Sequence, residues 1–217
     1  ADYDRIKKYC DRHSIPLIED AAQSQGAMYG NKPSGSLGDV SVFSFDPMKN
    51  MPSFGSGGMV LTDDKEIYDT VISLRRHGLA GKVDYGYNSL IPEDHANQLL
   101  LLLSKFDKLQ KMREKVFLRY RKSLPNNLIL ETQSNTKSSY HKLVILTEKR
   151  DELKKYLEQN GVETKIHYVK TLDATNLGNY PNAENICAKC LSLPIYPHLE
   201  SKEVDYICDR IREFFNV

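Results

Sequence analysis

Three polar residues of types that can hold or activate a small ligand stand at the ends of apolar runs. Asp20 ends "IPLIED", Ser44 lies near the end of "DVSVFSF" (39–45), and Lys49 follows that run and precedes the bend "GSGG" (55–58). Ligands of open α/β folds bind at the carboxyl edge of the strands. At such an edge, Lys49 could be a solvated loop residue, a phosphate ligand or a covalent anchor.

Each of the three residues also has an ordinary explanation. Asp20 could cap the segment that follows, Ser44 could donate within a turn, and Lys49 could be solvated. The glycines around them permit tight turns and close backbone approach, but a role in turns alone explains them equally well. Taken singly, none of these residues establishes a site.

The surrounding pattern is an alternation of strands and helices. An amphipathic helix is predicted over residues 3–12, and Asp63 or Asp64 can cap another through "KEIYDTVISLRRH", with Gly78 as its end. Strands are predicted at residues 15–20, 39–45 and 57–62. This order of elements predicts an α/β layer with a largely parallel sheet.

The second half of the chain has a different pattern. Apolar residues recur at three- and four-residue spacing over residues 93–123, which predicts one long helix linking two bodies. A small α+β domain is expected beyond it, with strands at 140–146 and 162–168 and helices at 149–161 and 201–215. The predicted domains are residues 1–123 and 124–217.

Composition narrows the classes of function. The 217 residues include 30 basic and 29 acidic side chains, interspersed along the chain, so no basic face for nucleic acid is indicated. No apolar run approaches the roughly 20 residues needed to cross a bilayer, and the start lacks the apolar core of a signal peptide, so we expect a cytoplasmic protein without a membrane partner. Cys187 and Cys190 form a C-x-x-C without further ligands nearby, so no metal site is predicted. Two cysteines at this spacing more commonly lie on a helix and face a core.

The segment "IEDAAQSQGAMYGNKPSGSLGDVSVFSFDPMKNMPSFGSGGMVLTDD" (18–64) closely resembles the motif block of the DegT/DnrJ/EryC1/StrS family of pyridoxal-phosphate-dependent sugar aminotransferases. The resemblance continues in the same order through "LRRHG", "GYNS", "GVETKIHY" and "LSLPIYPHL" (191–199). It implies the aspartate aminotransferase-like fold (fold type I of pyridoxal phosphate enzymes), here as part of the large domain plus a small C-terminal domain.

The resemblance implies roles that the chemistry of each side chain supports. Lys49 matches the lysine that forms the Schiff base with the cofactor and shuttles a proton. Asp20 matches the carboxylate facing the pyridine nitrogen, and Gln23 the residue on the phenolic-oxygen side of the ring. Ser44 matches a hydroxyl donor to the cofactor phosphate, and Asn88 an asparagine reaching the phosphate of a neighbouring subunit.

The same resemblance implies the substrates and the assembly. His167 lies where family members line the mouth for the sugar nucleotide, and glutamate is the expected amino donor to a nucleotide-linked keto sugar. A homodimer with an active site shared between subunits is expected. Sugar dehydratases of the family carry histidine at the lysine position, so Lys49 favours transamination.

Two features of the chain depart from the family pattern. Ser56 stands where the family often has glutamate and Leu90 where it often has arginine, which leaves the identity of the substrate open. The long N-terminal section of the family, with its own strands and a phosphate-binding turn, has no counterpart before Ala1. A fragment or half of a longer enzyme, or a non-catalytic interaction module of the same fold, is therefore an alternative. A nucleotide-phosphate loop is disfavoured because the glycines follow Lys49 instead of preceding it.

Overall fold

The computed structural model describes residues 1–79, 81, 83–130, 132–172, 178 and 180–216. The chain forms two compact units. Unit 1 comprises Ala1–Asp107 and Gln133–His141, and unit 2 comprises Lys108–Thr132 and Lys142–Val217.

This division differs from the predicted boundary at residues 123 and 124. Helix α4 (Phe106–Ser123) contributes Val116 and Tyr120 to the core of unit 2, so most of it belongs there. In the other direction, Gln133–His141 returns to unit 1, where its short strand β6 (Thr136–Lys137) pairs with an earlier hairpin. The hairpin and its partner lie far apart in sequence, and the residue pattern gave no sign of their pairing.

Unit 1 is built around a three-stranded sheet with helices before and after it. Its remaining elements are α1 (Tyr3–His13), β1 (Ile18–Asp20), β2 (Met28–Tyr29), β3 (Lys32–Pro33), β4 (Val40–Ser44), β5 (Gly58–Leu61), α2 (Lys65–Leu74) and α3 (Glu93–Leu103). Sheet order is β1-β4-β5, and a second small sheet has the order β3-β2-β6.

Strand direction in the larger sheet is only partly as predicted. β1 and β4 are parallel, with Ile18 opposite Val40 and Asp20 opposite Val42. β5 runs antiparallel to β4, so the described sheet is mixed rather than largely parallel. The Val- and Phe-rich composition indicates strands but carries no information on their direction.

The helix ends show where the sequence signals were informative. Asp64 caps α2, since its side chain accepts hydrogen bonds from the amides of Glu66 and Ile67. α2 ends before Gly78, which has a φ of +81° and donates its amide to the Ser73 carbonyl at 2.9 Å. The single long helix predicted over residues 93–123 is wrong, because the chain forms two helices, α3 and α4, interrupted at 104–105. The three- and four-residue spacing of apolar side chains continues across this break and so did not reveal it.

Unit 2 has a single dense core. Its other elements are β7 (Leu143–Leu146), α5 (Arg150–Gln159), α6 (Pro181–Lys189), β8 (Cys190–Leu193) and α7 (Ser201–Phe215). β7 and β8 are antiparallel, and fully buried side chains from them pack with those of α5 and α7, among them Ile145, Leu153, Leu157, Leu191 and Ile211. The strand predicted over residues 162–168 is wrong, since only a single bridge, Lys165 to Ser192, forms there. α6 and β8 were not predicted.

Unit 1 buries far fewer apolar side chains. Among its described residues they are Cys10, Ala21, Phe45, Leu99 and Tyr140. Large apolar side chains are instead exposed on several of its elements, including Ile18, Met59, Leu100, Leu101 and Leu103. The apolar surface of unit 1 is thus left largely open to solvent in this chain.

Two further predictions concern membrane and metal sites. None of the helices in the described part of the chain is long and apolar enough to span a membrane. The described residues also contain no group of three or more His, Cys, Asp or Glu side chains suited to a metal ion. Cys187 lies on α6 and Cys190 opens β8, so the C-x-x-C is not the purely helical pair that its spacing suggested.

Candidate active site

Asp20 and Ser44 end neighbouring parallel strands at the same edge of the sheet. The ladder continues one residue past Asp20, because the Ala21 amide donates to the Val42 carbonyl at 3.0 Å. The Asp20 carboxylate is exposed at this edge and accepts a hydrogen bond from the Ala22 amide at 3.1 Å. Ser44 lies two residues beyond Val42 in β4. This is the placement that the strand ends predicted.

Lys49 lies in the turn that leaves β4. Its amide donates to the Asp46 carbonyl at 2.9 Å, while the carboxylate of Asp46 accepts from the Met48 amide at 3.0 Å. The side chain of Lys49 is half-buried, and no described carboxylate forms an ion pair with its ammonium. The turn thus presents an amine that no counter-ion within the described residues neutralises.

Gln25 ties the strand end to the loop after Lys49. Its Nε2 donates to the Ser44 carbonyl at 2.8 Å, and its Oε1 accepts from the Met51 amide at 3.2 Å. The residue is only 5% exposed, so both bonds form away from solvent. The sequence analysis did not single out Gln25, because a glutamine in a polar loop has no distinguishing signal.

Glu19 is a second residue that the sequence analysis missed. Its half-buried carboxylate accepts hydrogen bonds from the Gly35 and Leu37 amides, both at 3.0 Å, and from the Ser41 and Ser34 hydroxyls at 2.8 and 3.1 Å. Burial raises the pKa of Glu19, but these hydrogen bonds outweigh it, and the pKa lies below its usual value. The charge of Glu19 thus anchors the loop 34–37 beside β1.

Gln23 and Asn88 occupy different parts of unit 1. Gln23 is exposed in the loop after β1, and its carbonyl accepts a hydrogen bond from the Ser139 hydroxyl at 3.0 Å. Asn88 is exposed and forms an isolated antiparallel β-bridge with Arg76, which lies two residues after the end of α2. No described contact joins Asn88 to Lys49.

His167 belongs to unit 2, apart in the chain from the other candidates. Its Nδ1 shares a hydrogen bond of 2.8 Å with the hydroxyl of Ser192, which is 6% exposed. Burial lowers the pKa of His167, and the positive charges of Lys142 and Lys165 lower it further. The ring is therefore neutral near pH 7, and Ser192 fixes the orientation of its Nδ1 side.

The family profile described as the DegT/DnrJ/EryC1/StrS aminotransferase family matches residues 1–212, nearly the whole chain. This chain belongs to that family. The resemblance read from the sequence motifs is thereby confirmed.

Relatives of the DegT/DnrJ/EryC1/StrS family give the extent of the match. A dTDP-3-amino-3,4,6-trideoxy-alpha-D-glucose transaminase from Streptomyces venezuelae is 34% identical, over 99% of this chain and 60% of its own length. A solved family aminotransferase from Brucella abortus is 32% identical, with a TM-score of 0.92, over 99% of this chain and 61% of that one. The structure of S. venezuelae DesV in complex with a ketimine intermediate gives a TM-score of 0.91 at 32% identity, over 99% and 62%.

These matches establish the fold and the partial coverage together. The fold is that of the type I pyridoxal phosphate enzymes to which the family belongs, as predicted. The chain spans about 60% of the length of the relatives that it matches.

The types of side chain at the sheet edge match the groups that pyridoxal phosphate requires. The cofactor needs an amine for its aldehyde, an acid for its ring nitrogen and donors for its phosphate. Lys49 offers an amine without a described counter-ion, and Asp20 an exposed carboxylate at the end of the neighbouring strand. The Ser44 Oγ accepts from the Asp46 amide at 3.3 Å, which leaves the O–H of Ser44 to be donated.

Proposed function

We propose that this chain is the lysine-bearing part of an aminotransferase that moves an amino group, from glutamate, onto a keto carbon of a nucleotide-linked sugar. The observation that carries the proposal is the placement of Asp20 at the end of β1 and of Lys49 in the turn that follows the adjacent parallel strand β4. Membership of the family and the names of its transaminases support the same reaction class.

The proposed chemistry assigns one task to each side chain. Pyridoxal phosphate, when bound, supplies an aldehyde for bonding to an amine and a ring that takes up electrons from the reacting carbon. The Lys49 amine would bond to the aldehyde carbon with loss of water and, when displaced by a substrate amine, would be the group that carries a proton between substrate and cofactor carbons. The Asp20 carboxylate would keep a proton on the ring nitrogen. The Ser44 hydroxyl donates to the phosphate, as proposed also for the Asn88 amide of a neighbouring subunit.

Gln23 and His167 have proposed roles that are less direct. Gln23 is proposed to hold the ring on its phenolic-oxygen side. His167 is proposed to contact the sugar nucleotide, and the hydrogen bond between its Nδ1 and Ser192 supports this, because it leaves Nε2 for a ligand. A neutral His167 would contact the nucleotide by hydrogen bonding and not by charge.

A titration of the chain with pyridoxal phosphate tests this function. We expect an absorbance band at longer wavelength than that of free pyridoxal phosphate in the same buffer, which saturates at one equivalent per chain and is absent from Lys49→Arg. Addition of glutamate should then replace that band by one at shorter wavelength as the amino group is transferred. A chain that binds no cofactor at any concentration would contradict catalysis by these residues alone.

The partial coverage of the relatives favours a second candidate. Unit 1 exposes leucines on α3 and other large apolar side chains, Ile18 and Met59, on the edge strands β1 and β5. A polypeptide equivalent to the remaining 40% or so of the relatives' length would cover these side chains. On this proposal the chain acts only as half of a longer or split enzyme, or as a non-catalytic module. Cofactor affinity separates the two candidates: tight binding with turnover by this chain would rule out the non-catalytic module.

A further inference from the structure

The segment that returns to unit 1 from the second half of the chain contacts two loops of the candidate site. Ser139, which is 7% exposed, donates its hydroxyl to the Gln23 carbonyl at 3.0 Å. Its own carbonyl accepts a hydrogen bond from the Asn50 side chain at 2.7 Å. One residue thus connects the loop after β1 with the loop after β4.

Asn50 has a second partner in the same segment. Its Oδ1 shares a hydrogen bond of 3.2 Å with Nδ1 of His141, and the asparagine is 6% exposed. Asn50 therefore contacts Ser139 through its nitrogen and His141 through its oxygen. A buried amide held at both ends is fixed in orientation, because neither end can turn without losing a bond in a place where water cannot replace it.

Asn50 directly follows Lys49, so whatever fixes Asn50 also fixes the peptide that carries the amine. The next residue, Met51, is held through its amide by Gln25, and the Lys49 amide is held by the Asp46 carbonyl. The chain is thus held at positions 49 and 51 through main-chain amides and at position 50 through its side chain. This is more than a surface turn requires, since turns close with one main-chain hydrogen bond.

We propose that Asn50 is a positioning residue for the Lys49 amine, and that Ser139 sets the spacing between the Lys49 loop and the Gln23 loop. The inference rests on the proposed function, because the cofactor chemistry assigned to Lys49 is the reason why its amine would need to be positioned. A group that must reach a cofactor carbon loses much of its rate if it is displaced by about 1 Å. Residues 138–141 thus hold the site from a distant part of the sequence.

The test uses the 217-residue chain and four variants. Asn50→Ala removes the described contacts of the amide with Ser139 and His141, whereas Ser139→Ala removes the bond to Gln23 and keeps the carbonyl that Asn50 uses. Asn50→Asp keeps an acceptor for His141 but loses the donor to Ser139. The matched control is Asn160→Ala, because the Asn160 side chain in unit 2 makes the same kind of bond, to the Tyr156 carbonyl at 2.8 Å.

The first measurement needs no cofactor. The rate of reductive methylation at Lys49, measured by peptide mass spectrometry, is divided by the rate at Lys8, which is exposed on α1. We expect Asn50→Ala to raise this ratio at least threefold, because a released lysine becomes more accessible, and Asn160→Ala to leave it within a factor of about 1.5. An unchanged ratio in Asn50→Ala would overturn the positioning role whatever the chain does with a cofactor.

The second measurement separates positioning from general weakening. At saturating pyridoxal phosphate, we expect the rate of cofactor bonding to Lys49 to fall about tenfold in Asn50→Ala and less in Asn50→Asp. The half-saturating concentration should change less than twofold, because Asn50 has no proposed contact with the cofactor. For Ser139→Ala, we expect the half-saturating concentration to rise, because the Gln23 loop is released. Equal losses of rate and affinity in Asn50→Ala would overturn the proposal.

The two measurements fail independently. If the wild-type chain takes up no cofactor and Asn50→Ala still changes the methylation ratio, then Asn50 does position Lys49 and this chain alone does not carry out the proposed function. If the wild-type chain binds the cofactor and Asn50→Ala behaves as wild type in both measurements, then the proposed function stands and the positioning role is wrong.

Discussion

Asp20 pairs with Val42 in parallel register, so Asp20 lies opposite the residue two positions before Ser44 on the neighbouring strand. The loops that follow these two strands carry Gln23 and Lys49. Because parallel strands have their carboxyl ends at one edge, residues far apart in sequence reach a common site without any long connection between them.

Replacement of the Asp20 carboxylate tests its proposed role at the ring nitrogen. Asp20→Asn keeps an acceptor for the Ala22 amide but removes the charge that would hold a proton on the ring, so we expect cofactor affinity to fall by roughly tenfold or more. Absorbance titration measures this. The matched control is Asp39→Asn, since Asp39 accepts from the Leu17 amide at 2.7 Å at the opposite end of the same strand pair. Equal effects of the two variants would contradict the assignment.

Glu19 gives a prediction about stability and pH. Glu19→Gln should lower the free energy of unfolding of unit 1 by about 1–3 kcal/mol, because amides and hydroxyls that donate to a charge would lose a strong acceptor. The pKa of Glu19 is lowered in the folded state, so its contribution is present above the usual value of 4.5 and is lost as the pH falls through the folded-state pKa.

The amides of Gly35 and Leu37 provide the measurement for Glu19. Their hydrogen exchange should speed up in the wild-type chain as the pH falls through the folded-state pKa, after correction for intrinsic rates, and should be fast at all pH values in Glu19→Gln. Protection that is unchanged by the substitution would show that the loop is held by other contacts.

The core of unit 2 should respond to truncation as a well-packed core does. Leu157 is fully buried on α5, so Leu157→Ala should cost about 2–5 kcal/mol. Leu118 on α4 is 53% exposed, and Leu118→Ala should cost less than about 0.5 kcal/mol. Urea unfolding monitored by circular dichroism provides both values. Similar costs for the two leucines would contradict the described packing of this core.

The exposed leucines of α3 predict association. Leu100 and Leu101 are 65% and 57% exposed, so we expect the isolated chain to self-associate and to bind a hydrophobic dye. The double variant Leu100→Ser with Leu101→Ser should reduce dye binding by more than half, whereas Leu118→Ser in unit 2 should not. A monodisperse monomer without dye binding would argue against an uncovered surface on unit 1.

The sequence predicted those parts of the fold that local signals determine. Val- and Phe-rich runs marked β4 and β5, and Asp64 marked the start of α2, because a strand surface and a helix cap each depend on a few adjacent residues. The direction of β5 and the break at 104–105 depend on tertiary packing, which leaves no local pattern. The strand expected at 162–168 failed for the same reason, since only Lys165 finds a partner.

The candidate site was predictable to a similar extent. Asp20, Ser44 and Lys49 could be proposed from strand ends and from the family motif. The contacts of Gln25 and of Asn50 with Ser139 could not, because they join residues up to 89 positions apart through side chains of ordinary type. Such contacts are set by the fold as a whole, and a single sequence does not reveal them.

The most direct test of the central claim is the site of covalent attachment. The chain is incubated with pyridoxal phosphate, reduced with borohydride, digested and mapped by mass spectrometry. We predict one cofactor per chain on the peptide containing Lys49, its loss in Lys49→Arg, and its retention in Lys8→Arg. Attachment to another lysine, or equal labelling of Lys49→Arg and the wild-type chain, would contradict the role of Lys49.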